Sequence, residues 1–142
     1  MALVPAALAG NGRAITPDQL AKLPLILYEA GANTRTIVDD WFRRAGPLPR
    51  PIMELGSVEA IKGLVASGLG ATVLPSLAIA EAVPGTAVLP LRPALARRLG
   101  VVVRRDKVRD RGLRVLLDAL AALKAPSRPP KAGFPPPLAG EG

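Results

Sequence analysis

The sequence has 142 residues, enough for one domain or for one lobe and part of another, and 49% of them are hydrophobic. It contains no cysteine, which excludes a disulfide framework and thiol chemistry, and no histidine, which removes the commonest general base and metal ligand. The formal net charge is +8, yet residues 24–92 balance six basic against six acidic side chains, so the excess lies outside them.

In chain order, residues 1–5 read as the end of a strand and Pro5 to Thr16 as a loop. Pro17 to Leu23 reads as a short helix started by Thr16 or Pro17. Leu25-Ile26-Leu27-Tyr28 is a continuous apolar run, the pattern of a strand buried on both faces. After Gly31-Ala32-Asn33-Thr34, with Asn33 or Thr34 as N-cap, Ile37, Val38, Trp41 and Phe42 mark one face of a helix ending near Gly46. Pro47, Pro49 and Pro51 predict an extended connection to a strand at Ile52–Leu55. Ser57 caps a helix marked by Val58, Ile61, Leu64 and Val65, with Glu59 in its first turn and Gly68 at its left-handed end. Ala71 to Leu74 is the next strand. The order β-α-β-α-β over about 50 residues predicts an α/β fold with a parallel sheet.

Ser76 to Ala82 reads as a weaker helix stopped by Pro84-Gly85, and Leu99 to Val103 as a further strand. Leu113, Leu116, Leu117, Leu120 and Leu123 mark an amphipathic final helix. Half of residues 126–137 are proline, so residues 126–142 are expected to be disordered. The cations Arg104, Arg105, Lys107, Arg109, Arg111 and Arg114 fit solvated element ends better than a nucleic-acid platform, since no aromatic residues interleave with them. Met1–Ala9 imitates a secretory signal but has no positive start and is interrupted by Pro5. No run of about 18 apolar residues is present to cross a membrane, so a cytoplasmic location is expected.

The chemistry in these patterns is that of binding. Gly31-Ala32-Asn33-Thr34 and Gly56-Ser57-Val58 each combine helix N-terminal N–H groups with a hydroxyl or amide, which suits a carboxylate or sulfate. The alternative is plain capping, in which Asn33 and Ser57 serve only their own helices. Arg35 is expected in a surface pair with Asp39 one turn on, rather than as an anion clamp in a cleft. Gly68-Leu69-Gly70 follows a helix rather than a strand, which rules out a dinucleotide fingerprint. Ser57 lacks a nucleophile-elbow frame, and Asp39, Asp40, Glu54 and Glu59 form no recognisable acid–base pair or metal cage. No enzyme, cofactor or metal is expected.

Over Leu3 to about Leu123 the sequence resembles the effector domain of LysR-type transcriptional regulators. The resemblance is carried by Pro24-Leu25-Ile26-Leu27-Tyr28, Thr34-Arg35, Trp41-Phe42 through Gly46, and the run from Glu54 to Pro75. It continues through Leu91-Arg92-Pro93, Arg97-Arg98-Leu99-Gly100 and Arg104-Arg105-Asp106-Lys107. It implies a two-lobed fold like periplasmic binding proteins, with a small, anionic effector in the cleft. Gly31, Asn33, Thr34, Ser57 and Val58 are then the effector-binding candidates. By this likeness residues 1–23 are a crossover strand and linker from an incomplete first lobe. Residues 24–92 are the second lobe, and 93–125 are the return strand and C-terminal helix of the first. Family members begin with a winged helix-turn-helix that this sequence lacks, so no specific DNA binding by this chain alone is expected. The expected partners are the effector and, through dimerisation, itself or a full-length regulator. The competing expectations are a stand-alone fragment that pairs with a full-length regulator, or a degenerate gene fragment without independent activity.

Overall fold

Alternating burial on both faces of a sheet organises residues 1–95. The computed structural model describes residues 1–79, 83–97, 100–104 and 111–122. The strands are β1 (Ala2–Pro5), β2 (Ile26–Tyr28), β3 (Met53–Leu55), β4 (Thr72–Val73) and β5 (Thr86–Leu89). The helices are α1 (Pro17–Leu20), α2 (Asn33–Arg43), α3 (Val58–Ala66) and α4 (Arg111–Ala122), with 3-10 turns at Ala6–Leu8 and Ser76–Ile79. Strand β1 lies between β4 and β5, antiparallel to both, while β2 and β3 pair in parallel. A parallel bridge between Leu25 and Ala71 joins the two groups, so the strands run β3-β2-β4-β1-β5.

Residues of one strand divide between two cores as the pleat requires. Ala2 and Val4, Leu25 and Leu27, and Ala71 and Val73 face one cluster, which Val38, Trp41 and Phe42 of α2 complete. Leu3, Ile26 and Leu74 face the other, which Ile61 and Val65 of α3 complete. Helices α2 and α3 therefore cover opposite faces, and this is why the central strands are apolar at every position.

Local chemistry sets the element ends. The Thr16 hydroxyl accepts from the Gln19 N–H while the Gln19 side chain accepts from the Thr16 N–H, a capping box with Pro17 in the first turn of α1. At the end of α3, Gly68 has φ +84°; its N–H donates to the Val65 carbonyl at 3.0 Å, and the Leu69 N–H donates to the Leu64 carbonyl at 3.1 Å. That is a Schellman ending, as expected of Gly68. Gly70 is required for another reason: a Cβ there would lie 2.6 Å from the Pro24 carbonyl oxygen.

Several expectations change. Residues 1–23 join 24–92 in one compact unit that runs to Leu95, because β1 is the centre of its sheet rather than a strand apart. The helix expected from Ser76 to Ala82 is a 3-10 turn to Ile79, and its remainder lies outside the described residues. Strand β5 was not expected, although Thr86-Ala87-Val88-Leu89 after Pro84-Gly85 carries the signal of a strand following a turn. A second unit begins at Ala96. In it, the described part of the expected strand at 99–103 forms no ladder, and Val102 is 98% exposed. Valine propensity alone makes no strand without an edge to pair with. Helix α4 forms where the leucine spacing placed it, with Val115, Leu116 and Leu120 exposed. Leu123 and the tail at 126–142 lie outside the described residues.

Thr72 sits opposite Leu3, fully buried, and its Oγ1 has no hydrogen-bond partner among the described residues. A buried hydroxyl left unpaired costs stability. Thr72→Val should therefore raise the urea midpoint, by about 1 kcal/mol of stability; a lowered midpoint would show that the hydroxyl makes a bond that matters.

Candidate functional site

Two turns meet at one end of the sheet. In the parallel register Tyr28 is level with Leu55, so the chain leaves β2 and β3 side by side and turns at once into α2 and α3. The Glu29 N–H donates to the Leu55 carbonyl at 3.2 Å, which stitches the first turn to the second strand. Gly31 then adopts φ +91°, a conformation side chains disfavour, so its conformational role is clear from the backbone. This brings Gly31, Asn33 and Thr34 to the same sheet edge as Ser57 and Val58. Carboxyl ends of parallel strands, with helix N-termini behind them, are where open α/β sheets hold ligands.

The two helix starts differ. Ala32, not Asn33 or Thr34, is the N-cap of α2, and no side chain caps it. Asn33 and Thr34 are the first two helical residues because Ala32 already holds the extended backbone of a cap and its carbonyl accepts from the Thr36 N–H at 3.1 Å. The polar groups of this turn are thus not used as caps. Ser57 does cap α3: its Oγ accepts from the Ala60 N–H at 3.3 Å, as expected. Its own O–H remains a potential donor towards the edge. Asn33 and Ser57 are exposed, and Thr34 and Val58 are half-buried.

Arg35 overturns the expectation of a surface pair. It is buried, and its Nε donates to Asp39 Oδ1 at 2.8 Å while Nη1 donates to Glu54 Oε1 at 2.8 Å and to the Tyr28 carbonyl at 2.7 Å. One guanidinium thus fastens the first turns of α2 to the ends of β2 and β3. Burial pulls its pKa down, but the hydrogen bonds and charges of Asp39 and Glu54 outweigh this and hold it above the ordinary value. The Asp39 partner was readable from the one-turn spacing; Glu54, 19 residues away, was not.

Glu29 is a further resident of the edge that sequence reasoning missed. A Cβ on Gly56 would lie 2.8 Å from Glu29 Oε1, so this exposed carboxylate leans over the entrance to α3. Its position directly after the strand was the only available signal. With the Arg35 charge committed to two carboxylates, Glu29 tilts the local potential negative. Among the described residues no group of carboxylates is arranged to hold a metal ion, and no helix is long and apolar enough to cross a membrane.

A mixed sheet with helices on both faces, and two helix N-termini gathered at one end of its parallel strands, defines an α/β lobe. The chain belongs to the LysR substrate binding domain family, whose model matches residues 1–125. It is 33% identical over 104 residues to the HTH-type transcriptional regulator YusT of Bacillus subtilis (strain 168), covering 71% of this chain and 35% of that protein. It is 40% identical over 108 residues to the regulator YeiE of Escherichia coli (strain K12), covering 73% of this chain and 36% of that one. The chain therefore spans about a third of the length of these relatives. Among solved structures, the Synechocystis PCC6803 CcmR regulatory domain in complex with 2-PG superimposes with a TM-score of 0.62 at 27% identity. That match covers 85% of this chain and 60% of the CcmR domain. The fold is thus that of LysR regulatory domains, which is like that of periplasmic binding proteins.

The Arg35 arrangement predicts a stability effect well beyond that of a surface pair. Arg35→Ala removes the shared partner of Asp39 and Glu54 and should cost about 2 kcal/mol in chemical denaturation. A cost under about 0.5 kcal/mol, the range of exposed pairs, would contradict the buried network.

Proposed function

We propose that this chain is the effector-sensing lobe of a LysR-type transcriptional regulator, and that Gly31, Asn33, Thr34, Ser57 and Val58 contact a small anionic effector. The observation that carries the reading is the pairing of Tyr28 with Leu55, which sets the N-termini of α2 and α3 beside each other. The start of α2 supports it, because helix N-termini favour negative charge and no side chain caps Ala32 there. The likeness to a regulatory domain that holds 2-PG supports it as well. In a whole regulator, an effector that bound this edge and an opposing lobe together would favour one lobe orientation over others. Its effect would be limited by its difference in affinity for the two.

Glu29 tunes the preference. A carboxylate beside Gly56 repels a ligand charge at the Ser57 turn, so the site favours an effector that also offers a hydrogen-bond donor or a positive group.

The exposed side chains of Val115, Leu116 and Leu120 on α4 favour a second reading, in which the chain also pairs with a full-length regulator through that stripe.

Titration with sulfate and with 2-PG, followed by amide resonances, tests the site. Residues 31–35 and 56–59 should shift together. Ser57→Gly keeps most of the capping stability but removes the hydroxyl, so it should weaken anion binding by about 1.5–3 kcal/mol. Glu29→Gln should act in the opposite sense and tighten sulfate binding by about 0.5–1 kcal/mol. Shifts confined to residues 100–114 would place the anions on the basic segment and reject this site.

A further inference from the structure

We infer that Trp41 couples the candidate effector turn at the start of α2 to the segment by which the chain leaves this unit, residues 91–93. Trp41 is 1% exposed, and its indole offers a single hydrogen-bond donor. That donor is spent on the Pro93 carbonyl, 52 residues on, at 2.8 Å. A buried indole could have reached a nearer acceptor; here it reaches the outgoing chain.

The outgoing segment is not held by Trp41 alone. The Ile15 N–H donates to the Pro90 carbonyl at 2.9 Å and the Arg92 N–H donates to the Ile15 carbonyl at 2.8 Å, so Ile15 and Leu91 form a short parallel bridge. Both side chains are buried in the cluster that also holds Trp41 and Phe42. The ring of Phe42 meets that of Trp41 edge to face, with centroids 5.1 Å apart, which fixes the indole plane. Trp41 therefore grips a two-segment connector rather than a loose loop.

The other end of the same helix is equally constrained. Arg35, in the first turn of α2, is bonded to the Tyr28 carbonyl and to Glu54, at the ends of β2 and β3. Asn33 and Trp41 are eight residues apart on one unbroken helix, about 12 Å along its axis. A displacement at the effector turn has no flexible joint in α2 to absorb it before Trp41. Trp41 is thus a positioning residue, not a ligand contact. The ligand arm of this inference rests on the site reading above; the tether itself does not.

The test uses the full chain, in which Trp41 is the sole tryptophan and gives one indole N–H resonance. Two variants remove the donor: Trp41→Phe, and biosynthetic replacement of Trp41 by β-(3-benzothienyl)alanine, which keeps the fused rings and has sulfur in place of N–H. The isostere preserves packing even if the phenylalanine variant folds poorly. Without ligand, both should speed amide exchange at Leu91 and Arg92 by roughly three- to tenfold, and also alter exchange at Asn33–Arg35, because coupling between two sites is reciprocal. With sulfate or 2-PG, the native indole N–H and the amides at 91 and 92 should move with the same midpoint as residues 31–35. In the isostere residues 31–35 should still respond while 91 and 92 stay still. Ligand shifts at 31–35 with no movement of the indole or of 91 and 92 would overturn the coupling and leave the site reading intact. Absence of ligand shifts with reciprocal exchange changes would do the reverse. Exchange changes confined to 91 and 92 would overturn the coupling by themselves.

Discussion

A single backbone contact makes one sheet out of two, and everything else in residues 1–95 depends on it. Ala71 donates to the Pro24 carbonyl at 2.8 Å, and Ile26 donates to the Ala71 carbonyl at 2.9 Å. Through this pair the parallel strands β2 and β3, which carry the candidate site, are fused to the antiparallel strands β4, β1 and β5. The approach is so close that residue 70 can have no side chain. Without it, Leu25, Ile26 and Leu27 would have no wall to complete the two cores, and a two-stranded ribbon is marginal in water on its own.

The electrostatic design at the edge follows from burial rather than from net charge. The chain as a whole is strongly basic, yet Arg35 at the edge is paired with Asp39 and Glu54, and the carboxylate of Glu29 leans over the start of α3. The Arg35 Nε and Nη1 are spent on two carboxylates and a strand-end carbonyl, which holds the guanidinium against α2 and the strand ends. In the proposed reading, contacts at this edge come from backbone N–H groups and neutral side chains, which act at short range and directionally.

The central strands and helices were legible in the sequence because their signals are local. Leu25-Ile26-Leu27 is apolar without interruption, Ser57 precedes a run with helical spacing, and Gly68 stands one residue past it. The positions of the two turns at one edge also followed, since parallel strands joined by helices leave their turns at the same end. What was not legible depends on distant partners. The Ala32 cap was missed because alanine has no capping side chain, and propensity pointed to its polar neighbours. The Glu54 bond to Arg35 spans 19 residues of sequence, and Trp41 reaching Pro93 spans 52. The described part of 99–103 illustrates the converse, valine-rich sequence that forms no ladder among the described residues.

The level pairing of Tyr28 with Leu55 carries a consequence for how such a lobe can diversify. Because side chains alternate with a period of two, inserting one residue into either strand would exchange its two core faces and displace its turn by about 3.3 Å relative to the other. The strands are therefore intolerant of length change. Exposed residues just beyond them, such as Glu29 and Asn33, belong to neither core and can be exchanged without repacking, whereas Gly31 is held by its positive φ and Ser57 by its cap. Evolution can thus rewrite the chemical question the edge asks while keeping the frame that asks it.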